Sequence, residues 1–474
     1  MVATYRAFPA RGRPCGERDL RRCVVPTGRF GGRSRALGCP HLPGPGVRVS
    51  SLGTMIDTRL LTDDLDAVAA ALSRRGIGRD HLERLRALDD RRRALISSVD
   101  RARSEQRAAS RDIGRASAEQ RAQLIEAAQS LKEEVARLES ELAEAQAEHA
   151  AAFAAVPNLP HAHAPDGVEG DGVVLRTIGP PLPQIDAPRD HVELLEAADA
   201  IDLARGAKVS GARFAYLKGE GALLEFALVR YAIEVAMRHG HTPVIPPVLV
   251  REEAMYGTGF LPTDEQQLFA TRDDDLYLVG TSEVPLAGLH LDELLDPEQL
   301  PVRYVGYSPC FRREAGAHGK DTRGILRVHQ FEKVELFSFV APDASDDEHE
   351  RILSIEEEIF AGLEIHAQVV DIPVGDLGAS AARKFDLEAW LPGQQAYREV
   401  TSCSNTTDYQ ARRLRTRIRS VDGDNVLVHT LNGTALAVQR AIIALVEQHQ
   451  RADGTVAVPA ALQPHLGREV LFSG

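Results

Sequence analysis

From Leu85 to Ile113 the chain repeats apolar or small side chains at alternating steps of three and four: Leu85, Leu88, Leu95, Val99, Ala102, Ala109 and Ile113, with Arg92 and Gln106 filling two places in the stripe. A second stripe of the same spacing runs Leu124, Ala128, Leu131, Val135, Leu138, Leu142, Ala145 and His149. Heptad spacing of this kind marks helical seams that pack on one another. Residues 82–153 contain no Pro, and Gly114 to Ser117 interrupts the stripes. The pattern predicts an antiparallel helical hairpin, each helix about 30 residues and ~45 Å long, standing out from the body as an arm. Ser117 followed by Gln120 predicts a capping box at the second helix start.

Residues 161–188 are rich in Pro, Gly, Asp and His and read as a linker. Beyond it, residues 189–474 mix helical and extended patterns with many short turns, which predicts an α+β body: an antiparallel sheet with flanking helices. The stretch FALVRYAIEVAMRHGHTPVIPPVLV reads as an amphipathic helix and then a strand that stops at Pro246-Pro247. Proline confines that strand to a sheet edge. In LYLVGTSEVPLAGLH an extended run enters a helix with Thr281 or Ser282 at the N-cap. In NVLVHTLNGTALAVQRAIIALVEQHQ we expect a strand, a turn at Asn432-Gly433, and a long apolar-striped helix carrying Arg440.

The stretch FRREAGAHGKDTRGILRVHQFEKVELF (311–337) departs from a plain core sheet. It reads as two strands joined by a Gly-rich polar loop. Period-two spacing aligns Arg312 with Glu314 on the first strand, and Phe331, Lys333, Glu335 and Phe337 on one face of the second. Cations, carboxylates and an aromatic ring then share one surface. Charges on a core-facing side are costly to bury, so this surface reads as a binding face.

Composition narrows the class. The net charge of −13 argues against a protein that coats nucleic acid, although a local basic patch still serves for RNA. Such a patch is present: between residues 101 and 121, around the predicted tip of the arm, six Arg (Arg101, Arg103, Arg107, Arg111, Arg115 and Arg121) face three acids. That balance suits phosphate contacts, with a solvated helix face as the plainer alternative. No apolar run approaches the ~18–20 residues that span a bilayer, so a soluble protein is expected. The five cysteines (Cys15, Cys23, Cys39, Cys310 and Cys403) are sparse and odd in number, as for reduced thiols. Cys39 and His41 lie close together without a second ligand pair at zinc spacing.

The first 54 residues hold ten Arg, no Lys and two acids, a charge of +8 that leaves −21 of the total −13 to residues 55–474. Rich in Gly and Pro, they are expected to remain unfolded, as a leader translated from an upstream start, with an organelle transit segment as the alternative. Met55 opens the folded part.

Thr281, Ser282 and Glu283 set two hydroxyls beside a carboxylate, and with Glu335 they suit the ammonium and polar tail of a small zwitterion. Arg440 has no acid in the next helical turn, which leaves it for a distant carboxylate or for phosphate, a task its planar fork performs well.

Taken together, the helix and edge strand of FALVRYAIEVAMRHGHTPVIPPVLVREEAMYGTG, TSE with FRREAG…DTRG…RVHQFEKVE after it, and REVTS with LNGT…R resemble motifs 1, 2 and 3 of class II aminoacyl-tRNA synthetases. With the arm in front, residues 55 to about 470 resemble bacterial seryl-tRNA synthetases. The resemblance implies activation of L-serine by ATP to seryl-adenylate and transfer to the terminal adenosine of tRNA(Ser), with tRNA(Sec) left open. It implies catalytic roles for Arg312, Arg440 and Glu399, and Mg²⁺ on Glu399 and Ser402. Phe331 would stack under adenine, with Arg313, Glu314, Arg327, Val400 and Thr401 bordering the nucleotide. Serine would meet Thr281, Ser282, Glu283, Arg312, Glu335, Asn432 and Thr434. No zinc is expected. A cytoplasmic homodimer formed through 224–259 is implied, with residues 55–160 as the tRNA-binding arm domain and 189–474 as the catalytic domain. Three positions depart from the usual pattern: Arg313 stands for Ser, Thr434 for Ser, and Gln439 for Gly. The competing readings are a paralogue that loads an activated amino acid onto a carrier protein, and a non-catalytic scaffold. The arm disfavours the first, and retention of Arg312, Glu399 and Arg440 disfavours the second.

Overall fold

The computed structural model describes residues 57–473 except 317, 318, 320, 421 and 422, so the expected leader at 1–54 lies outside the described residues. The hairpin is present and longer than its seams suggested. Helix α1 (Arg79–Arg115) and helix α2 (Ala118–Ala154) have 37 residues each, ~55 Å at 1.5 Å per residue. Val99 and Ala102 bury against Val135 and Leu138, flanked by Leu95 and Leu142. A polar layer interrupts the seam, where buried Asp89 accepts from Arg92 at 2.7 Å and lies 3.2 Å from His149. The expected capping box does not form: Ser117 is the N-cap residue, but its hydroxyl donates to the Gln120 side chain at 3.3 Å rather than accepting from the backbone.

Two short helices, Thr58–Asp63 and Leu65–Ser73, pack Leu61, Leu65, Val68 and Leu72 onto the arm's base beside Leu82, Leu85 and Phe153, and the cluster reaches Tyr409 of the body. Arg75 fastens the base by donating to four main-chain carbonyls, of Asn158, Leu377, Gly378 and Ala381.

The body is an eight-stranded sheet. Its strands are β1 (Val173–Ile178), β2 (Thr242–Val244), β3 (Val302–Phe311), β4 (Gln330–Val340), β5 (Ala367–Asp371), β6 (Arg383–Leu391), β7 (Ala396–Asn405) and β8 (His429–Ala437), in the order β1-β5-β6-β7-β8-β4-β3-β2. All neighbours are antiparallel except β2, which runs parallel to β3 at the edge where the proline rule put it. Strand β1 corrects the linker reading at 161–188: that segment supplies the other edge of the sheet, paired with β5.

Five of the body's helices bear on the site: α3 (Gly219–Arg238), α4 (Glu283–Ala287), α5 (Ser345–Gly362), α6 (Tyr409–Leu414) and α7 (Val438–Gln448). Leu228, Ala232 and Val235 of α3, Ile352 and Ile359 of α5, and Ile442 and Leu445 of α7 bury against Val334, Leu336, Leu387 and Leu431 in one core. The opposite face of the central strands is covered at the Phe337 and Phe339 end by Leu286, Ala287, Ala411 and Leu414, and is open beyond it.

Two readings need correction. Strand β3 ends at Phe311, so Arg312 and Glu314 are loop residues and no strand aligns them; Glu314 takes a left-handed φ of 50°. Asn432-Gly433 is not a turn but the middle of β8. Gly433 is there because a Cβ would stand 2.3 Å from Ile352 Cγ2 and 2.8 Å from Glu356 Oε1.

Candidate active site

The free face of β4, β6, β7 and β8 floors a cavity of about 440 Å³. Antiparallel register explains what meets there. Lys333 on β4 lies opposite Ala437 on β8, Glu335 opposite Thr434, and Asp386 on β6 opposite Ser402 on β7. The loop after β3 brings Arg312, Glu314 and Arg327 over one side, and the start of α7 brings Arg440.

One end of the cavity is a hydrogen-bonding cage. Buried Glu283, first residue of α4, accepts through Oε1 from Gln410 Nε2 at 2.6 Å and from Asn432 Nδ2 at 2.9 Å. Its burial raises its pKa against the pull of Lys333 and Gln410. Lys333 donates to Thr281 Oγ1 at 3.0 Å and stands 2.6 Å from Glu335 Oε2. Glu335 is fully buried, and that ion pair lacks hydrogen-bond geometry, so neither oxygen has a hydrogen-bond partner. Burial pushes its pKa up to about 7; Lys333 opposes this and the Glu283 charge reinforces it. Thr434 lines this end.

The other end is electrostatic. Arg440 Nη1 is 2.9 Å from Glu399 Oε1 and donates to the Glu399 carbonyl at 3.0 Å. Enclosure alone would raise the pKa of Glu399, but Arg440, Lys384 and Arg312 outweigh it and hold the carboxylate down to about 2. Ser402, Val400 and Thr401 line the cavity beside it. Hard oxygen donors such as Glu399 and Ser402 are what Mg²⁺ takes, although among the described residues no cluster of three or more His, Cys, Asp or Glu forms a cage by itself. Between the two ends, the Arg312 guanidinium stands 5.3 Å from the centroid of the Phe331 ring and donates to Gly280 O at 3.1 Å. Arg327 pairs with Glu314 at 3.0 Å at the rim.

Most of the residues singled out from the sequence meet in this one cavity, and three stand outside it. Glu335 lies beneath the floor, covered by Lys333. Ser282 occupies the N-cap position of α4 without capping it; its hydroxyl bonds Ser308 Oγ at 2.7 Å in the interior. Arg313 turns away onto the Phe269 ring at 6.0 Å, so the extra charge does not border the cavity. Sequence reasoning put Lys333 on the binding face without giving it a role, and passed over Lys384 and Gln410. Lys333 was signalled, since alternation puts it between Phe331 and Glu335. Lys384, which pairs with buried Asp386 at 3.1 Å, alternates with that acid on β6. Gln410 reaches Glu283 from α6, and nothing local marks it.

At the arm, all six singled-out Arg are exposed. Arg103 pairs with Glu139 at 2.8 Å, and among the described residues the other five have no carboxylate partner.

A mixed sheet, antiparallel but for one edge strand, with a charged cavity above its central strands, is the core of a class II aminoacyl-tRNA synthetase, and residues 267–449 match the family described as tRNA synthetase class II core domain (G, H, P, S and T). Residues 55–160 match the seryl-tRNA synthetase N-terminal domain. The serine–tRNA ligase of Nocardia farcinica is 51% identical over 418 residues, 88% of this chain and 99% of that protein. That of Acidothermus cellulolyticus is 52% identical over 417 residues, 88% and 99% of the two chains. The crystal structure of seryl-tRNA synthetase from Pyrococcus horikoshii complexed with ATP superposes with a TM-score of 0.82 at 40% identity, covering 88% of this chain and 99% of that one. The chain belongs to the seryl-tRNA synthetase family.

Proposed function

We propose that this protein activates L-serine with ATP and transfers the seryl group to the 3′-terminal adenosine of tRNA(Ser). The observation that carries the reading is one cavity with a buried carboxylate-and-hydroxyl cage at one end, Arg440 with Glu399 at the other, and Arg312 over an aromatic ring between them.

The chemistry follows from that polarity. A serine ammonium meets Glu283 and Thr281, while Glu335, beneath the floor, holds Lys333 in place; the serine hydroxyl meets Thr434 and Asn432. A site built to hydrogen-bond a hydroxyl rejects alanine, because its own buried groups would be left unpaired. Arg312 steers the serine carboxylate to the α-phosphorus and offsets the charge that develops there. The carboxylate oxygen forms a bond to phosphorus as the bond to pyrophosphate breaks, giving seryl-adenylate. A ribose hydroxyl of the terminal adenosine then attacks the seryl carbonyl and AMP leaves. Phe331 provides the platform for adenine, and Arg440 holds the terminal phosphate so that pyrophosphate departs in line. Glu399 and Ser402 would hold Mg²⁺, which supplies positive charge to the phosphates. Glu399 remains ionised for this because Arg440, Lys384 and Arg312 keep its proton off.

The arm, with five Arg at its outer part that have no carboxylate partner among the described residues, is the surface for the tRNA backbone. Whether tRNA(Sec) is charged as well is decided by its acceptance in the same assay. A homodimer is proposed through 224–259, where Phe226 and Ile245 are exposed. The protein works in the cytoplasm on this reading, and none of the described helices is long and apolar enough to cross a membrane.

The test is ATP–pyrophosphate exchange with each amino acid in turn, followed by charging of tRNA(Ser). Serine-dependent exchange and charging are expected. Exchange without preference for serine overturns the reading.

A further inference from the structure

Strand β8 ends at Ala437, which pairs with Lys333, and the chain turns at once into α7. On β3 the partner of Glu332 is Pro309. Main-chain pairing from β8 therefore stops one residue short of Glu332, and a side chain continues it. Gln439, on the first turn of α7 and 8% exposed, accepts from the Glu332 amide through Oε1 at 3.0 Å and donates through Nε2 to Glu332 Oε2 at 2.5 Å. Among the described residues, Glu332 has no cation partner.

The neighbours of this contact give it its meaning. Glu332 follows Phe331, beside which Arg312 lies, and precedes Lys333 of the cage. Gln439 precedes Arg440, which holds Glu399. One carboxamide thus ties the strand that carries the aromatic platform to the helix start that carries the phosphate grip. Gln439 also stands, with Ile325 and Val328, in the wall shared with a second cavity behind the platform, where Glu225 and Glu332 face each other. Without the tie, this part of β4 is held by its pairing with β3 alone, and the place of Phe331 relative to Arg440 is less closely fixed.

We propose that Gln439 is a positioning residue that fixes the distance between the Phe331 platform and the Arg440 guanidinium, and so selects nucleotides long enough to engage both. This rests on the reading of the cavity as an ATP site.

The prediction concerns ligand span. Gln439→Leu keeps the side-chain bulk and removes both hydrogen bonds. Calorimetric binding to the full chain should show the ATP Kd rising about 5- to 10-fold, because a looser spacing between Phe331 and Arg440 must be reset each time ATP binds. AMP and inorganic pyrophosphate, which each reach one end only, should change less than about twofold. Gln439→Gly should repeat the pattern, and the melting temperature of both variants should remain near that of the wild type. Equal weakening of all three ligands, or a large fall in melting temperature, would mean general loosening and would overturn the proposal. Unchanged ATP binding in both variants overturns it as well. A wild-type chain that fails to bind ATP sinks the site reading and the tie together, whereas serine-dependent exchange with unaltered variants sinks the tie alone.

Discussion

Replacing Arg440 by Ala tests the electrostatic end of the cavity most directly. The substitution removes one guanidinium that makes two contacts with Glu399, at 2.9 Å to the carboxylate and 3.0 Å to the carbonyl. Both side chains are partly exposed, so the lost pair costs the fold little, within ~1 kcal/mol. The melting temperature should move by no more than a few degrees. Catalysis should suffer far more. A preorganised charge aimed at a departing anion is worth about 10²–10³ in rate, or ~3–4 kcal/mol of transition-state stabilisation. Serine-dependent pyrophosphate exchange should fall by that factor, and Arg440→Lys, which keeps a point charge but not the fork, should recover only part of it. A second signature follows in pH. In the wild type Glu399 is held down to about 2, below its ordinary value of 4.5. A depressed carboxylate stabilises the fold above its ordinary pKa and loses that contribution as pH falls through the lowered one. Without Arg440 the strongest lowering influence is gone, so the acid limb of both stability and activity should move to higher pH. Exchange within tenfold of the wild type would refute the reasoning, as would a loss that tracks unfolding.

Two further outcomes are expected. Glu335 is raised to about 7 by burial, so as pH rises from the ordinary 4.5 the unfolded chain sheds this proton first, and the ligand-free fold should lose stability up to about 7. Glu335→Gln, which cannot ionise, should flatten this slope in melting temperature between pH 4.5 and 7, and a variant with the same slope would count against the assignment. Excising residues 96–141 and joining the stubs leaves the base cluster of Leu82, Leu85 and Phe153 intact. Exchange should remain within about twofold while tRNA(Ser) charging falls at least ~100-fold, and charging that survives would make the arm a spacer.

The elements with long, clean periodicity were legible in the sequence. Both arm helices, the α3 helix with its edge strand, and the face of β4 follow from spacing alone, because solvent on one side and packing on the other enforce a period. The ends of those elements were not. Ser117-Gln120 has the letters of a capping box, yet at the exposed arm tip its side chains bond each other. Residues 173–178 have loop-like surroundings and still form an edge strand, because β5 offers a row of main-chain partners that no local signal announces. The site was legible where motifs are contiguous, as at 311–337, and illegible where a distant element contributes one side chain, as Gln410 does from α6.

Gly433 shows why local and tertiary logic diverge here. Asn-Gly between apolar runs is the strongest short signal for a hairpin turn. In this chain the same pair serves a different need. Residue 433 must lack a side chain so that α5 can approach, since Ile352 and Glu356 occupy the space a Cβ would fill. That approach lets Glu356 accept from Thr401 Oγ1 at 2.8 Å, fixing the strand that also carries Glu399 and Ser402. Glu356 is buried, its pKa raised well above 4.5 chiefly by desolvation, and one of its oxygens has no partner. Glu283, Glu335 and Asp386 are raised by burial in the same way. Four buried acidic side chains in and behind the sheet that floors the cavity are a cost the fold carries. Burial pushes these four toward their protonated forms, so the carboxylate whose charge is held in place before any ligand arrives is Glu399, kept down to about 2 by Arg440, Lys384 and Arg312.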